Sequence, residues 1–181
     1  LCWYNESVDP VHWSEEAPMQ RRDAARLDRQ LRKQGAGPAV SFGKTIFQDT
    51  GVPIGLVVCS HGGTSMSQWA PERLSEGGAS LYGSMIRRAN LAGGKVTGVI
   101  WYQGESDANG ENQALYKERM RDLVMSMRRD LGDPELPFLY VQLGPFFGGE
   151  DIEVHWNALR NDQVEVEGSL APAAMVSAVD A

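Results

Sequence analysis

Cysteine is nearly absent from this chain: 181 residues contain only Cys2 and Cys59. Two widely spaced cysteines make no disulfide framework. Cys59 ends an apolar run and reads as a buried thiol, since a free cysteine packs as a small hydrophobe. Histidine is scarce too. His12, His61 and His155 stand far apart without metal-ligand spacing, which speaks against a metal site. Basic charge is in deficit: 17 Lys and Arg against 24 Asp and Glu leave a net charge of -7. A nucleic-acid partner usually demands a basic face, so that class is set aside. No apolar run approaches the length that crosses a bilayer, and no membrane span is expected. The chain starts at Leu1 rather than Met, and its opening LCWYNESVDPVHW is no signal peptide. It reads as interior sequence of a longer protein, which leaves the compartment open.

What remains is ordinary for a globular domain: 42% hydrophobic and 23% charged residues, in a chain long enough to bury one core. Residues 1–19 mix aromatics with Asp, Glu and Pro and show no period. Over residues 20–34, Ala24, Leu27 and Leu31 are spaced as a narrow helical stripe, which Gly35, Gly37 and Pro38 break. A second helix is predicted over 39–49, burying Val40, Ile46 and Phe47. Then strands and helices alternate. Short apolar runs at 53–59 (PIGLVVC), 96–102 (VTGVIWY), 137–143 (PFLYVQL) and 173–179 (AAMVSAV) read as strands covered on both faces. Helical patterns lie between them at 79–92, 112–131 and 152–166, with Tyr82, Met85, Ile86 and Ala89 on one side of the first. In the second, Met120, Val124, Met127 and Leu131 share a face. This alternation predicts an α/β fold whose mostly parallel sheet carries helices on both faces.

Ligands of such sheets bind beyond the carboxyl ends of the strands. The loops to inspect are therefore 60–69, 103–110, 144–149 and the chain end after Val179. The first places Gly62 and Gly63 directly after a predicted strand, where glycine allows positive φ and close approach to a ligand. Backbone N–H groups in such a turn can hold an oxyanion. A tight turn without a ligand explains the pair equally well. No Gly-Lys-Ser/Thr follows, so a nucleotide P-loop is not expected. The second loop sets Gln103, Glu105 and Ser106 at a strand end, and Asp107 or Asn109 reads as a cap for the following helix. Gly104-Glu105-Ser106-Asp107-Ala108 imitates a nucleophile elbow. An elbow serine starts its helix at once, however, and here the turn signal Asn109-Gly110 intervenes. Ser60 matches less well, with Val58 where the first glycine belongs. His155 reads as an ordinary helical residue. His61, at a strand end, is better placed as a base but has no identifiable partner.

Three stretches together carry a resemblance: PIGLVVCSHGGTSMSQW, GGKVTGVIWYQGESDA and, more weakly, HWNALRNDQ with AAMVSAVDA. They resemble the sialate O-acetylesterase-type domain, a carbohydrate-esterase branch of the SGNH hydrolases, across residues 53–181. The resemblance implies a three-layer α/β sandwich with a flavodoxin-like sheet. It implies cleavage of O-acetyl esters on an acetylated carbohydrate without a cofactor, and it admits a secreted or periplasmic location. It places Gly62, Gly63 and Gln103 in the oxyanion hole, with Glu105 and Thr64 orienting the loops. Trp69 and Trp101 pack beneath the site or stack on a sugar.

The family's serine motif Gly-Gln-Ser-Asn and its terminal Asp-x-x-His are not in this sequence, which ends Asp180-Ala181. The expectation is one domain over 1–181, incomplete at both ends and inactive alone. The absent first strand would lie between the runs at 53–59 and 96–102. Two other readings stay open: a carbohydrate-binding or scaffold module without catalysis, and an α/β-hydrolase using Ser106. The sequence does not give an oligomeric state.

Overall fold

A computed structural model describes residues 38–93 and 95–178. The expected irregular segment 1–19, the helix at 20–34, Cys2, His12 and the end Asp180-Ala181 lie outside the described residues. The elements run α1 (Pro38–Thr50), α2 (Leu81–Leu91), β1 (Val99–Trp101), α3 (Tyr116–Asp130), β2 (Phe138–Gln142), α4 (Glu150–Val166) and β3 (Ala173–Ser177). Short 3-10 turns cover Met66–Trp69, Pro71–Ala79, Glu105–Asp107, Gln113–Leu115 and Glu167–Ser169.

The sheet is all parallel, in the order β1-β2-β3. Register pairs Trp101 with Tyr140 and Tyr140 with Met175. Side chains alternate across a strand, so Trp101, Phe138 and Tyr140 share one face. That face is buried against Tyr116, Met120, Leu123, Val124 and Met127 of α3 and Leu159 and Val166 of α4. These positions recur every three or four residues, as helix geometry requires of a face that meets a sheet. The opposite face, with Leu139, Val141 and Val176, is half-buried or exposed. Among the described residues, the main core therefore lies on one side of the sheet.

Ser80 caps α2, its Oγ accepting the Gly83 N–H at 3.0 Å. This bond satisfies one of the amide donors that a helix N-terminus leaves free. The long helical pattern at 112–131 resolves into a 3-10 turn followed by α3, so the α-helix begins at Tyr116.

The run at 53–59 is not a strand covered on both faces. Among the described residues nothing pairs with it, and Val52, Ile54 and Val57 are exposed. A strand needs a ladder partner, and among the described residues the sheet ends at β1. Val58 O instead accepts a hydrogen bond from Arg88 Nη1 at 3.0 Å. Cys59 is half-buried and free, with burial raising its pKa and Arg88 opposing the shift. No helix among the described residues is long and apolar enough to cross a membrane.

Arg128 of α3 ties the amino ends of β2 and β3. Its guanidinium donates to Leu136 O, Leu170 O, Ala171 O and Pro172 O at 2.8 to 3.2 Å, and it is buried. Only the planar fork of arginine reaches four carbonyls spread in this way. Arg128→Met strands Leu136 O, Leu170 O and Ala171 O, while Pro172 O keeps the Phe138 N–H at 3.1 Å, so the variant should lose about 3 kcal/mol of stability in urea denaturation, because buried acceptors without donors cost their full desolvation. A loss under about 1 kcal/mol would mean that these carbonyls find other donors.

Candidate active site

The carboxyl end of β1 leads straight into Gln103. Its main-chain oxygen is fixed from behind by two buried groups, Tyr116 OH at 3.3 Å and Gln163 Nε2 at 3.2 Å. Gln163 Oε1 also accepts the Leu143 N–H at 2.9 Å, so one α4 side chain grips the ends of both β1 and β2. Two further residues of the same helix continue the row. Arg160 Nε donates to Leu143 O at 3.0 Å, and Trp156 Nε1 donates to Gly144 O at 2.8 Å. Residues 156, 160 and 163 lie on one helical face. The stretch HWNALRNDQ is thus the clamp that holds two strand ends.

Gly104 follows with φ 153°. A Cβ there would lie 3.0 Å from both Leu143 Cδ1 and Leu159 Cδ2. Glycine suits the conformation, and a Cβ would also crowd both leucines. The chain then makes one 3-10 turn, Glu105–Asp107, and no helix starts at Ser106. The α-helix opens only at Tyr116, which removes the elbow geometry on which the Ser106 reading depends. Asn109 closes the loop locally, its Nδ2 donating to Ser106 O and its Oδ1 accepting the Asn112 N–H, both at 3.0 Å.

Gly62 and Gly63 are exposed, and Gly63 has φ 71°, a left-handed conformation that favours glycine. The turn continues into buried Thr64. Thr64 Oγ1 donates to His61 O at 2.9 Å and accepts Trp69 Nε1–H at 3.0 Å. Thr64 O accepts Gln103 Nε2–H at 3.0 Å, which joins the two predicted loops directly.

The second bond between the loops comes from Asp107, which is fully buried. Its carboxylate accepts the Met66 N–H at 2.9 Å and Gln103 Nε2–H at 2.5 Å. It therefore caps the turn Met66–Trp69 in the other loop, not the helix after its own. Arg119 Nη1 stands 3.9 Å away. Both protons of the Gln103 amide are thus engaged, by Thr64 O and Asp107, while Gln103 Oε1 is buried without a partner among the described residues. Glu105 is exposed. Trp69 and Trp101 are buried and meet edge to face at 5.2 Å, so they form the floor under the loops and present no surface to a sugar. His155 is half-buried, with its ring against Gly110. Among the described residues no cluster of His, Cys, Asp or Glu is placed to hold a metal ion.

Sequence reading missed Asp107 and Gln163 as site residues. Asp107 looked like a local cap because its partner Met66 is 41 positions away. Gln163 had a signal, its place on one helical face with Trp156 and Arg160.

Burial raises the pKa of Asp107 against the opposing effects of Gln103, Met66 and Arg119, and Glu105 adds to the rise. A carboxyl that holds its proton more tightly when folded stabilises the fold below the unfolded pKa of about 4, and that contribution is lost as pH rises through the folded value. Asp107→Asn does not titrate and sets an NH2 against donors. It should cost about 2 kcal/mol. The gap to the wild type should narrow as pH rises from acid to neutral. Urea denaturation across that range checks this, and a gap that widens with pH would show that the buried carboxylate is net stabilising as an anion.

Comparison with known proteins adds a consistent picture. A family model described as carbohydrate esterase, sialic acid-specific acetylesterase, matches residues 3–181. A probable carbohydrate esterase of Arabidopsis thaliana is 34% identical over 116 residues, which cover 60% of this chain and 42% of that protein. The crystal structure of a carbohydrate acetylesterase from Xanthomonas citri superimposes with a TM-score of 0.68 at 33% identity, covering 78% of this chain and 34% of the other. A crystal structure of an Arabidopsis thaliana protein gives a TM-score of 0.65 at 31% identity, covering 79% of this chain and 56% of the other. The chain thus spans between about a third and somewhat over half of the length of these relatives.

Proposed function

Since the chain belongs to the carbohydrate esterase family of sialic acid-specific acetylesterases, we propose that the whole protein is a serine esterase that removes O-acetyl groups from a carbohydrate, and that this chain supplies the oxyanion side of its site. The observation that carries the reading is the 3.0 Å bond between Gln103 Nε2 and Thr64 O, which sets the Gly62-Gly63 turn beside a side-chain amide at a strand end. Ester attack pushes negative charge onto the carbonyl oxygen. Donors already fixed where that charge develops stabilise it without reorganising, and one such donor is worth about 3 kcal/mol.

Gln103 has one route to that role. Asp107 keeps one amide proton, while the other exchanges Thr64 O for the ester oxygen. Neutral Thr64 O is the weaker acceptor of the two, and a developing oxyanion competes well against it. Thr64 then works through its hydroxyl, which pins the glycine turn between His61 O and Trp69. Exposed Glu105 adds its charge near Asp107. The nucleophilic serine and the histidine base are assigned to parts of the protein outside this site. On this reading the 181-residue chain hydrolyses no acetyl ester unaided.

The test is Gln103→Met in the full-length protein, which keeps the length of the side chain and removes the donor. It should lower kcat about a hundredfold with a smaller change in KM, because the lost interaction belongs to the transition state. Melting temperature is read on the same variant. A folded variant with normal kcat would leave Gln103 as a brace between the loops and nothing more.

A further inference from the structure

The loop at 143–149 leaves β2 at the same end of the sheet as Gln103 and Gly104. Its root is rigid. Leu143 is bonded at both its N–H and its carbonyl, and Gly144 O accepts Trp156 Nε1–H. Phe146 stacks on Trp156 with ring centroids 4.6 Å apart and planes 26° apart. Gly148 lies so close that a Cβ there would collide with the Phe146 ring, and Gly149 takes φ 102°. Phe146 is thereby held against Trp156, though 44% of it stays exposed. The next residue, Phe147, is 90% exposed.

A phenyl ring left in water at the tip of a pinned loop adds nothing to the fold, and covering it with a ligand is favourable. Beside it Phe146 exposes less than half of its surface, and Pro145, Gly148 and Gly149 offer little further apolar side chain. One ring supplies about 150–250 Å², well short of the roughly 800 Å² per partner that a stable protein interface uses. It does match one face of a pyranose, whose axial C–H groups form a small apolar patch rimmed by hydroxyls. The strand ends fit the same occupant. β1 and β2 are neighbours, and Leu143 Cδ1 lies 3.0 Å from where a Cβ on Gly104 would be. A sugar whose ester reaches the end of β1 extends naturally over the end of β2.

We propose that Phe147 is a stacking platform for a pyranose ring of the acetylated substrate, a positioning residue that favours sugar esters over ring-less ones. The proposal rests on the ester-hydrolase reading above. The experiment compares full-length wild type, Phe147→Ala and Phe147→Trp on glucose pentaacetate and on glycerol triacetate, an acetyl ester without a ring. Phe147→Ala should lower kcat/KM for glucose pentaacetate about threefold to tenfold, through KM, as expected for one lost stacking contact. Glycerol triacetate should change less than about twofold, and Phe147→Trp should restore the sugar ester. Melting temperature should not move.

Equal losses on both esters, no loss on either, or a clear fall in melting temperature would overturn the platform while leaving ester hydrolysis intact. The last outcome would mean that Phe147 is packed by another part of the protein. A wild type active only on glycerol triacetate also counts against it. A wild type that hydrolyses neither ester removes the esterase reading, and the platform with it.

Discussion

The buried carboxylate of Asp107 is the constraint on which the site depends. Two loops from distant parts of the chain meet above Trp69 and Trp101, and apolar contact alone would leave their relative height undefined. Asp107 defines it, taking a main-chain N–H from one loop and a side-chain amide from the other. Burying a carboxyl is expensive, and the raised pKa registers that cost. In return, the Gln103 amide nitrogen is held by a strong acceptor and cannot swing away. Losing Asp107 would leave the Gln103 amide on Thr64 O alone and the Met66 N–H without its acceptor.

Behind this contact the support is arranged in depth. Tyr116 and Gln163 hold the Gln103 main chain, and Gln163 reaches Leu143 on the next strand. Tyr140 OH donates to Gln163 O at 2.6 Å, which closes the set. These are buried polar groups with partners on different elements. Such a network fixes a single arrangement, since any slip leaves a donor or acceptor unsatisfied. Arg128 does the same work at the opposite end of the sheet for β2 and β3, so β2 is held at both ends by side chains from the helices.

How much of this the sequence revealed follows from how local each signal is. β2 and α3 were legible because their apolar spacing reflects a face that each really buries. The Gly62-Gly63 turn and Gln103 were legible because both follow apolar runs at strand-like spacing. The run at 53–59 misled, since an apolar segment announces a strand but not its partner, and among the described residues the sheet stops at β1. Asp107 stayed hidden for a related reason. Its neighbours suggest a helix cap, and only the fold brings Met66 to it. The two tryptophans were ambiguous because burial, not residue type, separates a floor from a platform. The exposed ring turned out to be Phe147, in a loop that the sequence marks only by its place after a strand.

The central claim is that Gln103 gives one amide proton to the developing oxyanion while Asp107 keeps the other. The most direct measurement is the NMR signal of the Gln103 side-chain NH2 in the full-length protein, with and without a methylphosphonate bound as a tetrahedral mimic of the acetyl intermediate. The account predicts that one of the two protons moves strongly downfield on binding while the other, held by Asp107, stays near its place. Two unmoved protons in a protein fully occupied by the phosphonate would contradict it.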